Sequence, residues 1–149
     1  YIRLGRPKFV TIANKGEFKL GKAQVLTEGN NVTIAVCGCM VNEALIAAKV
    51  LLAKGIQARV INLHTIKPLD KDAILAAAKE TKGIVVCEEH SVIGGLASSI
   101  DEITAENNPV KIIRLGVKNR YGQSGEPDDL LKEYNLTSSD IEKAVLSLV

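Results

Sequence analysis

Val32-Thr-Ile-Ala-Val36 is a near-continuous apolar run of strand length, the pattern of a strand buried on both faces. The residues after it decide the fold. From Val41 to Lys54, apolar residues fall at 41, 44, 45, 48 and 52, which is helical spacing, and Gly55 stops that helix. Ala58 to Leu63 is then a second strand, with Val60 and Ile61 at its centre. Strand, helix and strand in this order make a parallel unit joined by a right-handed crossover.

The alternation continues toward the C-terminus. Asp70 is placed to N-cap a helix through Thr81, with Ile74, Leu75 and Ala78 on one face. Gly83 to Cys87 reads as a third strand. A Gly-containing loop leads into a helix from about Gly95 to Glu106, and Val110 to Leu115 reads as a fourth strand. A short helix is predicted near Asp128–Tyr134. Thr137 with Asp140 then caps a last helix, in which Ile141, Ala144, Val145 and Leu148 share a face. Residues 1–31 differ: Gly5, Pro7, Asn14, Gly16 and Gly21 punctuate an extended stretch, with a short edge strand predicted at Ala23–Leu26. The expectation is an α/β fold, a three-layer sandwich with a mostly parallel sheet of about five strands over residues 32–149, preceded by a linker or arm over 1–31. The chain opens at Tyr1 without Met, inside what reads as a strand, so a fragment or processed product is expected.

Composition agrees with one such domain. The 149 residues are 46% hydrophobic but only 3% aromatic, with no Trp, so the core must be aliphatic, as between a parallel sheet and its helices. Nineteen basic and 17 acidic residues leave a net charge of +2, and no Lys/Arg run reaches five. Neither a basic footprint nor interleaved aromatics for nucleic acid is present. No apolar run approaches the length of a membrane span. Cys37, Cys39 and Cys87 lie in or at the ends of apolar runs without zinc-ligand spacing, and read as reduced thiols of a cytoplasmic protein.

Parallel sheets offer ligands and partners the carboxyl ends of their strands. Here those ends are Cys37-Gly-Cys39, Leu63-His-Thr65, Glu88-Glu-His90 and Leu115-Gly116. Three segments draw attention. Arg3-Leu-Gly-Arg6-Pro7 carries two guanidinium groups suited to a phosphate or carboxylate, or simply to surface ion pairs. Glu88-Glu-His-Ser-Val-Ile-Gly-Gly95 opens a helix. It reads as an anion-binding helix start, as a proton-transfer group around His90, or as an interface loop with its polar groups satisfied across a boundary. Adjacent strand residues alternate in direction, so its Glu-Glu-His run is a poor metal site. Asn62-Leu-His-Thr-Ile-Lys-Pro-Leu-Asp70 is explained as strand, turn and cap, with His64 as a base the minority reading. Dinucleotide, P-loop and nucleophile-elbow signatures are absent.

These segments, in this order, resemble the C-terminal part of transketolases, most closely the C-terminal subunit of the split type. The match runs through Tyr1-Ile-Arg-Leu-Gly-Arg-Pro7, Gly21-Lys-Ala-Gln-Val-Leu-Thr-Glu-Gly29, Arg59-Val-Ile-Asn-Leu-His-Thr-Ile-Lys-Pro-Leu-Asp70, Glu88-Glu-His-Ser-Val-Ile-Gly-Gly-Leu96 and Tyr121-Gly-Gln-Ser-Gly-Glu-Pro127, essentially the whole chain. The resemblance implies a thiamine-diphosphate enzyme that moves two-carbon ketol units between sugar phosphates. Residues 1–31 would then be the end of the pyrimidine-binding domain and a linker, and 32–149 the C-terminal domain. The family holds thiamine diphosphate and a divalent metal such as magnesium between two domains that this chain lacks as wholes. No residue here is therefore assigned a catalytic, cofactor or metal role, and the chain alone is expected to bind no cofactor. Arg6 resembles the arginine that binds the sugar phosphate, with Arg3 a weaker companion. No catalytic role passes to His64 or His90, and residues 88–95 are expected to support contacts between subunits. The implied partners are the remaining transketolase domains or subunit and a second copy in a homo-oligomer. The 2-oxo-acid dehydrogenase β subunit, deoxyxylulose-phosphate synthase and 2-oxo-acid ferredoxin oxidoreductases share this domain. A non-catalytic assembly module is a further reading.

Overall fold

The computed structural model describes residues 1–2, 10–12 and 18–149. Among these residues five strands and five helices follow in chain order. They are β1 (Gln24–Thr27), β2 (Val32–Val36), α1 (Met40–Ala53), β3 (Ala58–Asn62), α2 (Lys71–Glu80), β4 (Ile84–Ser91), α3 (Leu96–Asn107), β5 (Ile112–Val117), α4 (Pro127–Glu133) and α5 (Ser138–Leu146). The sheet order is β1-β3-β2-β4-β5. β3, β2, β4 and β5 are parallel, and β1 joins the edge antiparallel to β3. The α/β sandwich with a mostly parallel five-stranded sheet is the fold expected. β1 lies before residue 32, the boundary drawn from the sequence, yet it pairs within the same sheet.

The layers follow from side-chain alternation along buried strands. Val32, Ile34 and Val36 of β2 pack with Val60, Val85 and Cys87 against α1 and α5. Ala35, Ile61, Ile84 and Val86 face α2 and α3 through Ile74, Ala77, Ala97 and Ile100. Every residue of β2 is buried, which is why its sequence shows a run and not an alternation. Glu43 on α1 accepts the Ser138 amide at 2.7 Å, fastening the start of α5 to its neighbour. Asp70 caps α2, and Thr137 with Asp140 forms the capping box of α5, as their spacing predicts.

Two boundaries differ from the sequence pattern. β4, predicted to end at Cys87, continues to Ser91, and β5 is displaced two residues from the predicted 110–115. Both strands run on past the predicted ends because pairing resumes after an irregularity between Cys87 and Ser91, where Ser91 pairs with Val117. The polar run from Glu88 resembles a strand end in sequence because its partner for burial is a helix start, not a sheet face.

From β2 the chain crosses to β3 on one side. From β3 it returns past β2 to β4 on the other. The crossovers diverge between the carboxyl ends of β2 and β4, the position where an open parallel sheet leaves a crevice.

Candidate functional site

At that crevice Cys37-Gly-Cys39 meets Glu88-Glu-His90. A cleft of about 390 Å³ is lined there by Cys39, Glu88, Glu89, His90, Gly95 and Ser99. The residues of the Glu-Glu-His run point apart. Glu88 is buried, with 2% of its surface exposed, while Glu89 and His90 are exposed. Glu88 Oε2 accepts the Leu96 amide at 2.7 Å and Oε1 accepts the Ala97 amide at 3.0 Å. A carboxylate of the chain itself thus fills the N-terminus of α3. Gly95 is required there, because a Cβ would overlap that carboxylate. The sequence allows an anion-binding helix start here; the anion is Glu88, and a second would be repelled.

Cys39 donates its thiol hydrogen to Glu89 Oε2 across 2.8 Å. Burial, then the Glu89 carboxylate, pushes the Cys39 thiol up to about 12. Burial, reinforced by Glu88, also raises Cys37, and burial raises Cys87 further. All three stay protonated near neutrality, which makes them weak nucleophiles and metal ligands. They are free thiols.

His64 lines an adjoining cleft of about 520 Å³, with Gln24, Asn62, Cys37, Val41 and Ile66. His64 and His90 line neighbouring clefts that share Cys37, Gly38 and Ile66. His64 Nδ1 lies 2.9 Å from Thr65 Oγ1, and its ring packs on Phe18 at 4.5 Å between centroids. His64 Nε2 and Asn62 Oδ1 are buried without hydrogen-bond partners among the described residues. Asp70 accepts amides from both Ala73, at 3.4 Å, and Ala23, at 2.9 Å. Burial tends to raise its carboxyl, but bonds from Ala23, Lys22 and Ala73 outweigh that and hold it below the usual range. The sequence pattern assigns Asp70 the cap alone. The bond to Ala23 needs a partner 47 residues away, which no local pattern reports.

Among the described residues no three His, Cys, Asp or Glu side chains converge as metal ligands. With α3 capped by a carboxylate, these residues do not fit a diphosphate–metal group. No described helix is long and apolar enough to cross a membrane. Arg6 and Arg3 lie outside the described residues.

Residues 21–141 match the family described as transketolase, C-terminal domain. The chain belongs to this family. It is 46% identical, over 97% of its length, to the 6-deoxy-6-sulfo-D-fructose transketolase subunit SqwH of Clostridium sp. (strain MSTE9), covering 45% of that protein. It is 37% identical to a subunit of the apulose-4-phosphate transketolase of Phocaeicola vulgatus, covering all of this chain and 48% of that one. Among solved structures, a split-gene transketolase described as an inactive β4 tetramer superposes with a TM-score of 0.86 at 39% identity. That superposition covers 95% of this chain and 46% of the other. The chain therefore spans about half the length of these split-type relatives. 1-Deoxy-D-xylulose-5-phosphate synthases are more distant members, such as that of Heliobacterium modesticaldum at 38% identity over 87% of the chain.

Proposed function

We propose that this transketolase C-terminal domain works as the assembly part of a thiamine-diphosphate enzyme that transfers two-carbon ketol units between sugars bearing an anionic group. The observation that carries the reading is similarity across nearly the whole chain to subunits of split transketolases, at 46% identity in one case. The cofactor and its divalent metal, such as magnesium, belong to the rest of the enzyme, where thiamine diphosphate supplies the carbanion chemistry. This chain contributes shape and contact. Glu88 braces α3, Cys39 and Glu89 tie β2 to β4 at the crevice, and the exposed Ile66, Ile93 and Tyr121 present apolar surface. Its partners are the remaining transketolase domains or subunit and a second copy of the enzyme. The three free thiols support a reducing, cytoplasmic setting.

Arg6 is the residue we assign to substrate, its forked guanidinium holding the anionic end of the sugar. The relative named for 6-deoxy-6-sulfo-D-fructose favours a second version in which that anion is a sulfonate. Both groups are tetrahedral oxyanions, so assays of the complete enzyme with phosphorylated, sulfonated and unsubstituted sugars separate the versions. Arg6→Ala should weaken whichever anionic sugar is the substrate far more than the unsubstituted one; equal loss for both removes the role. Calorimetry of the isolated chain with thiamine diphosphate and magnesium should show no binding. Tight binding there would overturn the assembly reading.

A further inference from the structure

Asn62 Oδ1 and His64 Nε2 stand out at the carboxyl end of β3. Both atoms are buried, and neither has a hydrogen-bond partner among the described residues. The other polar atom of each side chain is bonded: Asn62 Nδ2 donates to Gln24 Oε1 at 3.2 Å, and His64 Nδ1 meets Thr65 Oγ1 at 2.9 Å. A polar atom buried without a partner gives up its bond to water and receives nothing in exchange. The two sides that enclose the pair are held differently. One side is built on the sheet, with Cys37 and Val41 at the end of β2 and the start of α1. The other is the segment 18–23, which lies in no helix or strand and has no buried residue. Phe18 rests on the His64 ring at 4.5 Å between centroids, yet 60% of its surface is exposed. Of these residues Ala23 packs against the core. The rest of the attachment is polar. Thr65 Oγ1 accepts the Gly21 amide at 3.1 Å and Asp70 Oδ2 accepts the Ala23 amide at 2.9 Å. Lys22 meets Asp70 and Asp72 at 3.2 Å each.

We infer that residues 18–23 form a lid over the end of β3, which opens without unfolding of the sheet and uncovers Asn62 Oδ1 and His64 Nε2 in the cleft of about 520 Å³. The closed lid keeps its amide bonds but leaves two polar atoms unpaired. The open lid gives the Gly21 and Ala23 amides to water and wets the pair. Losses on one side offset gains on the other, which places this segment at the low-stability end of the molecule. A tightly fastened edge would bury apolar side chains and pair its polar ones; here Phe18 and Leu20 stay exposed and the pair beneath stays unsatisfied. The lid is a property of this chain's own contacts and does not depend on the assembly reading given above.

The test follows amide exchange by mass spectrometry in the complete enzyme, together with carbethoxylation of His64 by diethyl pyrocarbonate. In the parent, exchange over residues 18–25 should run at least about tenfold faster than in β2 and β4. Thr65→Val keeps the shape of the side chain and removes the acceptor for Gly21. Exchange over 18–25 and modification of His64 should then both rise about three- to tenfold. His64→Phe and Asn62→Leu should act in the opposite direction. Each replaces an unpaired polar atom by an apolar group of similar size, favours the closed lid and should slow exchange over 18–25 by about threefold or more. Asn62→Leu should slow the modification of His64 by the same factor. Opposite signs are the signature, since a segment held only by its contacts would loosen in all three variants. Quickened exchange in all three overturns the lid. So does exchange over 18–25 that keeps pace with β2 and β4, and so does a rate of His64 modification that Thr65→Val leaves unchanged. Should Asn62→Leu not fold, His64→Phe carries the test of sign, because its ring remains for Phe18 to rest on.

Discussion

Glu88 and Cys39 show how little the chemistry of a side chain says until its neighbours are known. Glu88 sits in a run that reads as acid, base or ligand, yet both its oxygens are taken by α3 amides. Charge-assisted bonds to buried amides are worth about 1.5–3 kcal/mol each in net terms. Glu88→Ala should therefore lower the unfolding free energy of this chain by about 3–6 kcal/mol, and Glu88→Gln, which keeps one acceptor, by roughly half that. Urea titration checks both, and a loss no larger than that of a surface substitution would contradict the cap. Cys39 supplies a second residue-scale expectation. With its thiol pushed up to about 12, first by burial and then by Glu89, alkylation should be slow at pH 8. Glu89→Gln removes the carboxylate but not the burial, so it should speed alkylation at Cys39 only partly, by about tenfold at that pH. Site-resolved mass spectrometry reads the rate, and a parent Cys39 as reactive as an exposed cysteine would refute the pairing.

Caps and strand ends divide sharply in how they respond to pH and in how they are legible. Asp70 and Asp140 both titrate below the usual carboxylate range. In each, burial acts upward first and is outweighed, for Asp140 by the Thr137 hydroxyl, Lys143 and the Thr137 amide. A carboxyl depressed in the folded state binds fewer protons there than in the unfolded chain. The stability it adds is thus complete above the unfolded value of about 3.9 and is lost as pH falls through the folded one. A variant with Asp70→Asn and Asp140→Asn should melt below the parent at pH 7 and pH 5, with the gap closing below about pH 4. Melting curves across that range check the sign; a gap that widened on acidification would contradict it. Both caps are readable in the sequence because the partners lie within three residues, as Thr137 and Asp140 do. The last residues of β4 are not, because Glu88 is matched by amides eight and nine positions on, across a loop. The Cys39–Glu89 pair, 50 positions apart, exists only because β2 and β4 are neighbours, and alternation of strands and helices does not state sheet order. The crevice residues stand out in the sequence as strand ends; their mutual contacts do not.

At the scale of the molecule, one sheet serves two cores. β2 sends Ile34 to α1 and α5, and the next residue, Ala35, to α2 and α3. Neither core is closed by its helices alone, so losing either one exposes a face of the same central strands. Leu51 of α1 and Ile100 of α3 are fully buried on opposite sides of the sheet. Truncating a buried Leu or Ile to Ala costs about 2–5 kcal/mol through lost transfer energy and the cavity left behind. A domain of this size is stable by about 5–15 kcal/mol in all, so either change consumes a large part of the margin. Leu51→Ala and Ile100→Ala should each shift the urea midpoint without changing the slope. Tyrosine fluorescence and circular dichroism should report one coincident transition for each, because the shared sheet couples the two cores. The two sites have the sheet between them and no common partner, so the double variant should lose the sum of the single losses to within about 0.5 kcal/mol. A biphasic transition in either single variant, with one helical layer melting before the other, would show that the cores are separate cooperative units. The sheet would then not transmit a change at the α1 and α5 face to the crevice between β2 and β4.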